Sequence, residues 1–256
     1  MKNSNFQIIF EILKKIKFII KYISNRKISL SINSIKYTDS NIQLEKIING
    51  IKKPVVIDIG AHHGETTFKI KSINNKSLIY CFEPSKGNFN YLKKNTEFDE
   101  NIKIFNFGLG EKNEEKFFFD NNASPISSFQ VFDKANQLES HWGVSNIKNF
   151  KKYKVNIIKF DTWMEEQKIN KVDFFKIDTQ GFELNILKGA RNSLEKKLIK
   201  SILIEIIFVR VYKNQPSFEE INKFLYEFNF KLNGIVDPSY NSKGDLLQAD
   251  FLYELQ

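Results

Sequence analysis

Two motifs carry residue types that suit the binding of a nucleotide-like cofactor. The first is a glycine turn, DIGAHHG, which runs from Asp58 to Gly64 between an apolar run and a helical pattern. Gly60 allows a tight reversal of the chain and lets a ligand approach the backbone. The turn lacks the G-x-G-x-x-G spacing that grips a pyrophosphate, and an acidic residue precedes its first glycine. That carboxylate can hold a cationic amino-acid group, directly or through water.

The second motif is Glu83, which follows the next apolar run and stands 23 residues after Gly60. A carboxylate at the end of a second strand can accept hydrogen bonds from both hydroxyl groups of a ribose. Taken alone, Glu83 can also be a favourable charge at a helix N-terminus. The two motifs together predict a site for S-adenosylmethionine rather than for NAD.

The motifs lie within an alternation of strands and helices. Short apolar runs bounded by turn signals predict buried strands at residues 55–59, 78–82, 102–107, 172–177 and 201–207. Helices are predicted between them at residues 66–73, from Ser85 as the cap to Lys94, and over residues 184–187. Such alternation implies right-handed crossovers and a parallel sheet, and therefore a doubly wound α/β fold.

The remaining segments complete this domain. Residues 116–119 and 155–160 predict two further strands, and the irregular segment between them predicts an excursion over the active-site face. Asp161 and Thr162 are assigned to the cap of the helix that follows. Ser217 and Glu220 have capping-box spacing at the start of the last helix, and residues 230–236 and 250–255 predict the last two strands. We expect residues 53–256 to form one domain, with residues 1–52 as an N-terminal helical extension.

Composition limits the function classes. With 41% apolar residues, the 256-residue chain has enough material for a substantial core. Cys81 is the single cysteine, and no cysteine and histidine cluster has zinc-site spacing, so we expect no metal and a reducing, cytoplasmic location. The net charge is +9, but the lysines are scattered and no nucleic-acid-binding motif accompanies them, so we expect no nucleic-acid partner. An acidic glycan or an anionic membrane fits this charge at least as well.

The ordered set of motifs resembles the FkbM-type methyltransferases, a family of S-adenosylmethionine-dependent O-methyltransferases. The segments that carry the resemblance lie between residues 55 and 255 and read VIDIGAHHGETT, YCFEPSKGNFNYLKKN, IIKFDTWMEE, FFKIDTQGFELNILKGA, ILIEI and ADFLYEL. The resemblance implies a Rossmann-like, seven-stranded methyltransferase sheet whose last strand is antiparallel. It also implies methyl transfer to a hydroxyl group of a sugar, a glycan or another small acceptor.

The resemblance further implies roles for particular residues. Asp178 follows the fourth core strand and is expected to face the transferred methyl group. Gln180 stands where glutamate is common in the family, and His62 stands where asparagine is usual. The residues expected to bind the cofactor are Asp58, Gly60, Ala61, His62, Gly64 and Glu83.

The catalytic base is the least determined part of the site. Methyl transfer mainly requires alignment of the acceptor oxygen with an electrophilic methyl group, and a base is needed only to remove the hydroxyl proton. The candidates are Asp178, His63 and His141, with Glu183 behind them, and Asp178 and His141 are the residues we assign to catalysis. In the plainer alternatives, Asp178 only orients backbone amides or the amino group of the cofactor, His63 caps the loop or faces solvent, and His141 is an ordinary loop residue.

Three other functions remain open at this point. The chain can be a methyltransferase of another acceptor, such as a protein or lipid amine, because fold alone does not choose the acceptor. It can also be a noncatalytic glycan- or membrane-binding protein, although the presence of both Asp58 and Glu83 argues against this. A nicotinamide-dependent enzyme is disfavoured because the phosphate-gripping glycines are absent.

The first 27 residues form a basic leader. Between residues 6 and 23, apolar residues recur at three- and four-residue spacing and predict an amphipathic helix, while the interrupting charges exclude a transmembrane span. The plainer alternative is a helix that packs on the domain. Seven basic residues and one acidic residue give the leader a charge of +6, which favours contact with an anionic membrane surface.

We expect the full chain to float with anionic liposomes at low salt and to stay unbound to neutral ones, because the leader combines charge with an apolar face. Deletion of residues 1–27 is the matched control, measured by the same flotation assay. Unchanged flotation after the deletion, or no flotation of the full chain, would show that the leader is only structural.

Overall fold

The computed structural model describes residues 40–121, 126–133 and 150–256. The predicted leader helix and His141 lie outside these residues. The strands in the described segments are β1 (Val55–Ile59), β2 (Leu78–Phe82), β3 (Ile102–Phe105), β4 (Gly108–Gly110), β5 (Glu114–Asp120), β6 (Lys151–Lys159), β7 (Phe174–Ile177), β8 (Ser201–Ile207), β9 (Phe230–Tyr240) and β10 (Leu246–Leu255). The helices are α1 (Ser40–Ile48), α2 (Glu65–Ile73), α3 (Lys86–Thr96), α4 (Phe160–Glu166), α5 (Glu183–Gly189), α6 (Arg191–Glu195) and α7 (Phe218–Glu227).

Seven of the strands form the central sheet in the order β3-β2-β1-β7-β8-β10-β9. The five neighbouring strands β3, β2, β1, β7 and β8 pair in parallel. β10 lies between β8 and β9 and is antiparallel to both. This arrangement confirms the predicted doubly wound sheet with an antiparallel last strand.

Helices cover both faces of the sheet, which explains why its central strands read as continuous apolar runs. Every residue of β7 and β8 is buried. Alternate residues of β1 belong to different core clusters, with Ile57 on one side and Val56 on the other. The helices α4 to α7 pack into the cluster that contains Ile57, and the helices α1 to α3 pack into the cluster that contains Val56. Each large aliphatic side chain that is fully buried in this way contributes roughly 1.5 to 3 kcal/mol.

The helix α1 packs on this core, since Leu44 and Ile48 are buried in the same cluster as Val56. The division of the chain at residue 52 stays a prediction. Within the described segments, none of the helices has the length and apolar character needed to cross a membrane.

Two predicted helix caps are confirmed. Ser85 caps α3 and accepts a hydrogen bond from the backbone N–H of Asn88. Ser217 and Glu220 form the complete capping box of α7. In both cases the cap satisfies backbone donors that a helix start leaves open.

The cap assigned to Asp161 and Thr162 is wrong. Lys159 is the N-cap of α4, and its side chain makes no cap hydrogen bond. The buried Asp161 carboxylate instead accepts hydrogen bonds from the backbone N–H groups of Asn192 and Ser193, at 2.9 and 3.0 Å, and from Ser193 Oγ at 2.6 Å. Asp161 therefore caps α6 across the fold, where the first turn needs an acceptor.

A second, three-stranded sheet was not predicted. The strand β6 pairs in parallel with β4 and antiparallel with β5. The predicted third strand ends at Phe105, two residues early, and the chain then enters β4 of the second sheet. Phe118, Val155 and Ile157 pack from this sheet onto the main core. The small sheet thus stands beside the carboxyl edge of the central strands.

Candidate active site

A cavity of about 250 Å³ opens at the carboxyl ends of β1, β2 and β7. Ligands of open α/β sheets bind at this edge, because loops from neighbouring strands diverge there. The lining residues come from three parts of the fold. On the β1 and β2 side they include Gly60, His62, Glu83 and Asn88; on the β7, β8 and β10 side Asp178, Gln180, Glu205 and Gln248; and from the second sheet and residues 126–133 Phe118, Ile126 and Phe129.

The backbone N–H groups of the turn after β1 form hydrogen bonds with other groups of the protein. Every N–H group from residue 60 to residue 64 donates to a protein acceptor at 2.8 to 3.2 Å. Two of these groups donate to the carbonyl of Phe82, and that of His62 donates to Glu83 Oε2. A pyrophosphate needs free N–H groups at such a turn, so the geometry disfavours a dinucleotide ligand.

Gly60 lies where two loops touch. Its φ is +78°, and a Cβ atom on it would lie 1.8 Å from the carbonyl oxygen of Asp178. The loops that follow β1 and β7 are therefore in direct contact. This close approach requires glycine on steric grounds alone, in addition to any ligand that passes over the turn.

Asp58 lies beneath the turn and does not line the cavity. It is fully buried, and its Oδ2 accepts a hydrogen bond from Thr67 Oγ1 at 2.9 Å. Its Oδ1 has no hydrogen-bond partner in the described segments. Burial raises the pKa of this carboxyl, although the ammonium group of Lys176 acts in the opposite direction.

Glu83 is buried and lines the cavity directly. Its Oε1 accepts a hydrogen bond from the N–H of Ser85 at 2.8 Å, and its Oε2 accepts one from the N–H of His62 at 2.9 Å. Burial raises the pKa of Glu83 to about 7, against the lowering effect of these two hydrogen bonds. The carboxylate is held rigidly at the edge of the cavity and keeps lone pairs for a ligand.

His62 and His63 lie side by side on the turn. Their ring centroids are 3.8 Å apart with nearly parallel planes, and His62 Nδ1 lies 3.0 Å from Glu65 Oε1. Candidate ligand atoms of these three residues lie within 4.8 Å of one another, as a metal site requires. Stacked rings do not aim their in-plane lone pairs at one ion, however, so this geometry disfavours joint coordination. His63 does not line the cavity, which weakens its candidacy as a base.

A cluster of charged and amide side chains lines the other side of the cavity. Lys176 is only 7% exposed, and its Nζ donates to Asp178 Oδ2 at 2.9 Å. Gln180 Nε2 donates to Asp178 Oδ1 at 3.3 Å and to Glu205 Oε2 at 2.6 Å. Burial alone would raise the pKa of Asp178, but Lys176 holds it below its ordinary value. Burial and the charge of Asp178 raise the pKa of Glu205 well above its ordinary value.

Glu183, a second-rank candidate base, has a structural position. Its Oε1 accepts hydrogen bonds from the N–H groups of Thr179 and Gly181 and from the hydroxyl of Thr179, at 3.0 to 3.1 Å. It does not line the cavity. Glu183 therefore fixes the turn that presents Asp178 and Gln180.

The comparison with known families decides which family this is. The family described as Methyltransferase FkbM domain matches residues 58–232. The chain belongs to the FkbM methyltransferase family. It is an S-adenosylmethionine-dependent methyltransferase, as the family is. The matched region begins at Asp58 and includes Glu83, Asp178 and Glu205, so it spans both sides of the cavity.

Individual relatives of this FkbM methyltransferase are distant. The 2-O-methyltransferase NoeI of Sinorhizobium fredii (strain NBRC 101917 / NGR234) is 22% identical over 205 residues, which cover 74% of this chain and 84% of that protein. Methyltransferase 1 of Beauveria bassiana (strain ARSEF 2860) is 23% identical over 159 residues, 59% of this chain and 64% of that protein. Among solved structures, an rRNA methylase from Streptococcus thermophilus covers 85% of this chain and 95% of its own, with a TM-score of 0.46 and 10% identity.

Sequence reasoning missed several side chains in the site of this FkbM methyltransferase. A lysine in the buried strand FFKI and a glutamate in the buried strand SILIEII were visible signals, because buried charges need partners. These residues are Lys176 and Glu205. Gln248 and Asn88 gave no comparable signal, since a single amide in a strand or helix is common.

The contact between the two loops predicts that Gly60→Ala is severely destabilising. The added methyl group meets the Asp178 carbonyl at a positive φ, which should lower the free energy of unfolding by roughly 2 to 5 kcal/mol. Gly50→Ala is the matched control, because a Cβ there meets nothing within 4 Å, and its cost should stay below about 0.5 kcal/mol. Urea unfolding measures both. Equal stability of the two variants would mean that the loops do not touch as described.

Proposed function

We propose that this FkbM methyltransferase transfers a methyl group from S-adenosylmethionine to a hydroxyl group of a sugar. The observation that carries the proposal is the composition of the cavity on the β7 and β8 side. The wall of the cavity includes the carboxyl and carboxamide groups of Asp178, Gln180 and Glu205 as well as the rings of Phe118 and Phe129. Planar polar groups bind hydroxyls, and aromatic rings pack against the apolar face of a sugar. The name of the relative NoeI, a 2-O-methyltransferase, supports an oxygen acceptor.

The residues on the β1 and β2 side fit the cofactor. Glu83 keeps lone pairs for the two hydroxyls of the ribose. Asp58 Oδ1 is a buried acceptor without a partner in the described residues, which suits the ammonium group of the cofactor through a bridging water.

In the proposed reaction, the protein aligns an acceptor hydroxyl and removes its proton. S-adenosylmethionine supplies an electrophilic methyl group when it is bound. Asp178 is ionised at neutral pH because Lys176 stabilises its charge, so its carboxylate can accept the hydroxyl proton on a lone pair that Lys176 and Gln180 do not use. Its low proton affinity makes it a modest base, and positioning of the acceptor oxygen contributes most of the remaining rate.

The test of this function is methyl transfer from methyl-labelled S-adenosylmethionine into fractionated cell extract. The proposal expects the label in polysaccharide, glycolipid or sugar fractions, attached in a form that resists mild base. Label in protein or in amines would assign the enzyme to another acceptor class.

We expect Glu83→Ala to weaken S-adenosylmethionine binding by roughly ten- to a hundredfold, because charge-assisted hydrogen bonds contribute roughly 1.5 to 3 kcal/mol. Calorimetric titration measures the dissociation constant. Glu100→Ala, at an exposed glutamate, is the control and should bind normally.

The pH dependence gives a second readout on Glu83. Its pKa is raised to about 7, and the protonated form loses an acceptor for the ribose. Affinity should therefore rise as the pH rises from 6 to 8, by up to about tenfold, and Glu83→Gln should remove that dependence. A pH-independent affinity in the parent, or full affinity of Glu83→Ala, would exclude Glu83 as the ribose ligand.

We also expect Asp178→Asn to keep cofactor affinity within a few-fold and to lose on the order of a hundredfold in turnover, the usual scale for a general base. His141→Ala should mainly weaken acceptor binding. Titration and initial rates with labelled cofactor separate the effects. Loss of cofactor affinity in proportion to rate would make Asp178 a cofactor ligand, and loss of all turnover in His141→Ala at saturating acceptor would exchange the two roles.

A further inference from the structure

Glu205 and Gln248 form a pair at the acceptor side of the cavity. In the antiparallel pairing of β8 and β10, Asp250 lies opposite Glu205 and Gln248 lies opposite Ile207. Residues opposite each other share a face of the sheet, and residues two apart on one strand share it as well. Glu205 and Gln248 are therefore diagonal neighbours on one face, and both line the cavity.

Gln248 presents an acceptor that the protein leaves unused. Its Oε1 is buried and has no hydrogen-bond partner among the described residues. A buried carbonyl without a partner costs on the order of 1 to 3 kcal/mol, so such an atom in a cavity wall indicates a ligand that donates. Gln248 lies on β10 and its neighbour Glu205 on β8, whereas the residues proposed to hold the cofactor lie at the ends of β1 and β2.

Glu205 presents a carboxyl group that is itself hydrogen-bonded to Asp178. It is 7% exposed, and none of the ion pairs in the described segments includes it. The amide nitrogen of Gln180 donates a hydrogen bond to both Glu205 and Asp178. The ammonium group of Lys176, in contrast, donates to Asp178. Two neighbouring carboxyl groups beside a single ammonium group do not both ionise at low dielectric. The proton therefore remains on Glu205, the carboxyl group that does not contact the ammonium group.

We propose that Glu205 and Gln248 bind a second hydroxyl group of the acceptor, next to the hydroxyl that loses its proton to Asp178. A hydroxyl both donates and accepts, so it can donate to the unpartnered Gln248 carbonyl and also form a hydrogen bond with the neighbouring Glu205 carboxyl. The inference rests on the proposed function and narrows it. The enzyme takes vicinal diols, as pyranosides contain, in preference to isolated alcohols and phenols.

Matched small alcohols test this preference directly. The full chain is assayed with methyl-labelled S-adenosylmethionine and with cyclohexanol, cis- and trans-cyclohexane-1,2-diol and a panel of methyl pyranosides. We expect kcat/KM for at least one diol and one pyranoside to exceed that for cyclohexanol by about tenfold or more, since one or two added hydrogen bonds supply that factor. A kcat/KM for cyclohexanol equal to that for the diols would overturn the inference.

Variants of the pair give the second arm. Gln248→Leu and Glu205→Leu should each raise KM for the pyranoside about tenfold with a smaller change in kcat, and Glu205→Gln, which keeps a donor, should lose less than Glu205→Leu. Gln167→Leu, at an exposed glutamine, is the control. Binding of S-adenosylhomocysteine checks that the site is folded, and Gln248→Asn replaces Gln248→Leu if it is not.

The outcomes separate this inference from the proposed function. Transfer to pyranosides with KM unchanged in both Gln248 variants contradicts the diol pair and leaves the sugar acceptor in place. Transfer to protein or amines with none to any hydroxyl compound contradicts the proposed function, and the diol pair fails with it.

Discussion

The buried ammonium group of Lys176 interacts electrostatically with several carboxyl groups at the edge of the central sheet. Lys176 lies within electrostatic reach of Asp58, Asp178 and Asp250, and Glu205 is close enough to interact with the same charge. At low dielectric a single cation does not keep all these acids ionised. Asp178 has the direct contact and stays charged, while burial raises the pKa of Asp250 to about 6 and raises that of Glu205 well above its ordinary value. The site therefore contains an ionised acceptor beside a neutral donor, which is the combination that the proposed chemistry requires.

The topology brings these groups together. Parallel strands end at one edge, so Glu83 after β2, the turn after β1 and Asp178 after β7 meet without long connections. The insertion of β10 between β8 and β9 adds Gln248 and Asp250 to the same edge. The second sheet and residues 126–133 contribute the remaining wall, and Ser128 Oγ ties that segment to the carbonyl of Gln180 at 2.6 Å. Tyr212 binds the same segment and the Gln180 side chain.

Local signals in the sequence predicted the elements well. The apolar runs of the central strands, the caps at Ser85 and Ser217, and the spacing of Gly60 and Glu83 depend on neighbouring residues, and the structure has each where the pattern indicates. Long-range pairing was not predictable in the same way. Asp161 caps a helix 31 residues away, and β5 and β6 pair across the 120–153 excursion. The acceptor side of the site depends on such contacts, so the sequence marks Glu205 only as a buried charge, and its placement beside Gln248 follows from the register of β8 and β10.

The protonation states of the two neighbouring carboxyl groups, Asp178 and Glu205, give the most direct test of the proposed site. Carbon-13 NMR titration of the full chain, labelled at the Asp and Glu carboxyl carbons and assigned with Asp178→Asn and Glu205→Gln, follows each group separately. We expect Asp178 to remain ionised at pH values below the ordinary range of an aspartate, and Glu205 to stay protonated at pH values well above the ordinary range of a glutamate. Two carboxyl groups that both titrate in the ordinary range, or a Glu205 that is ionised while Asp178 holds the proton, would contradict this expectation.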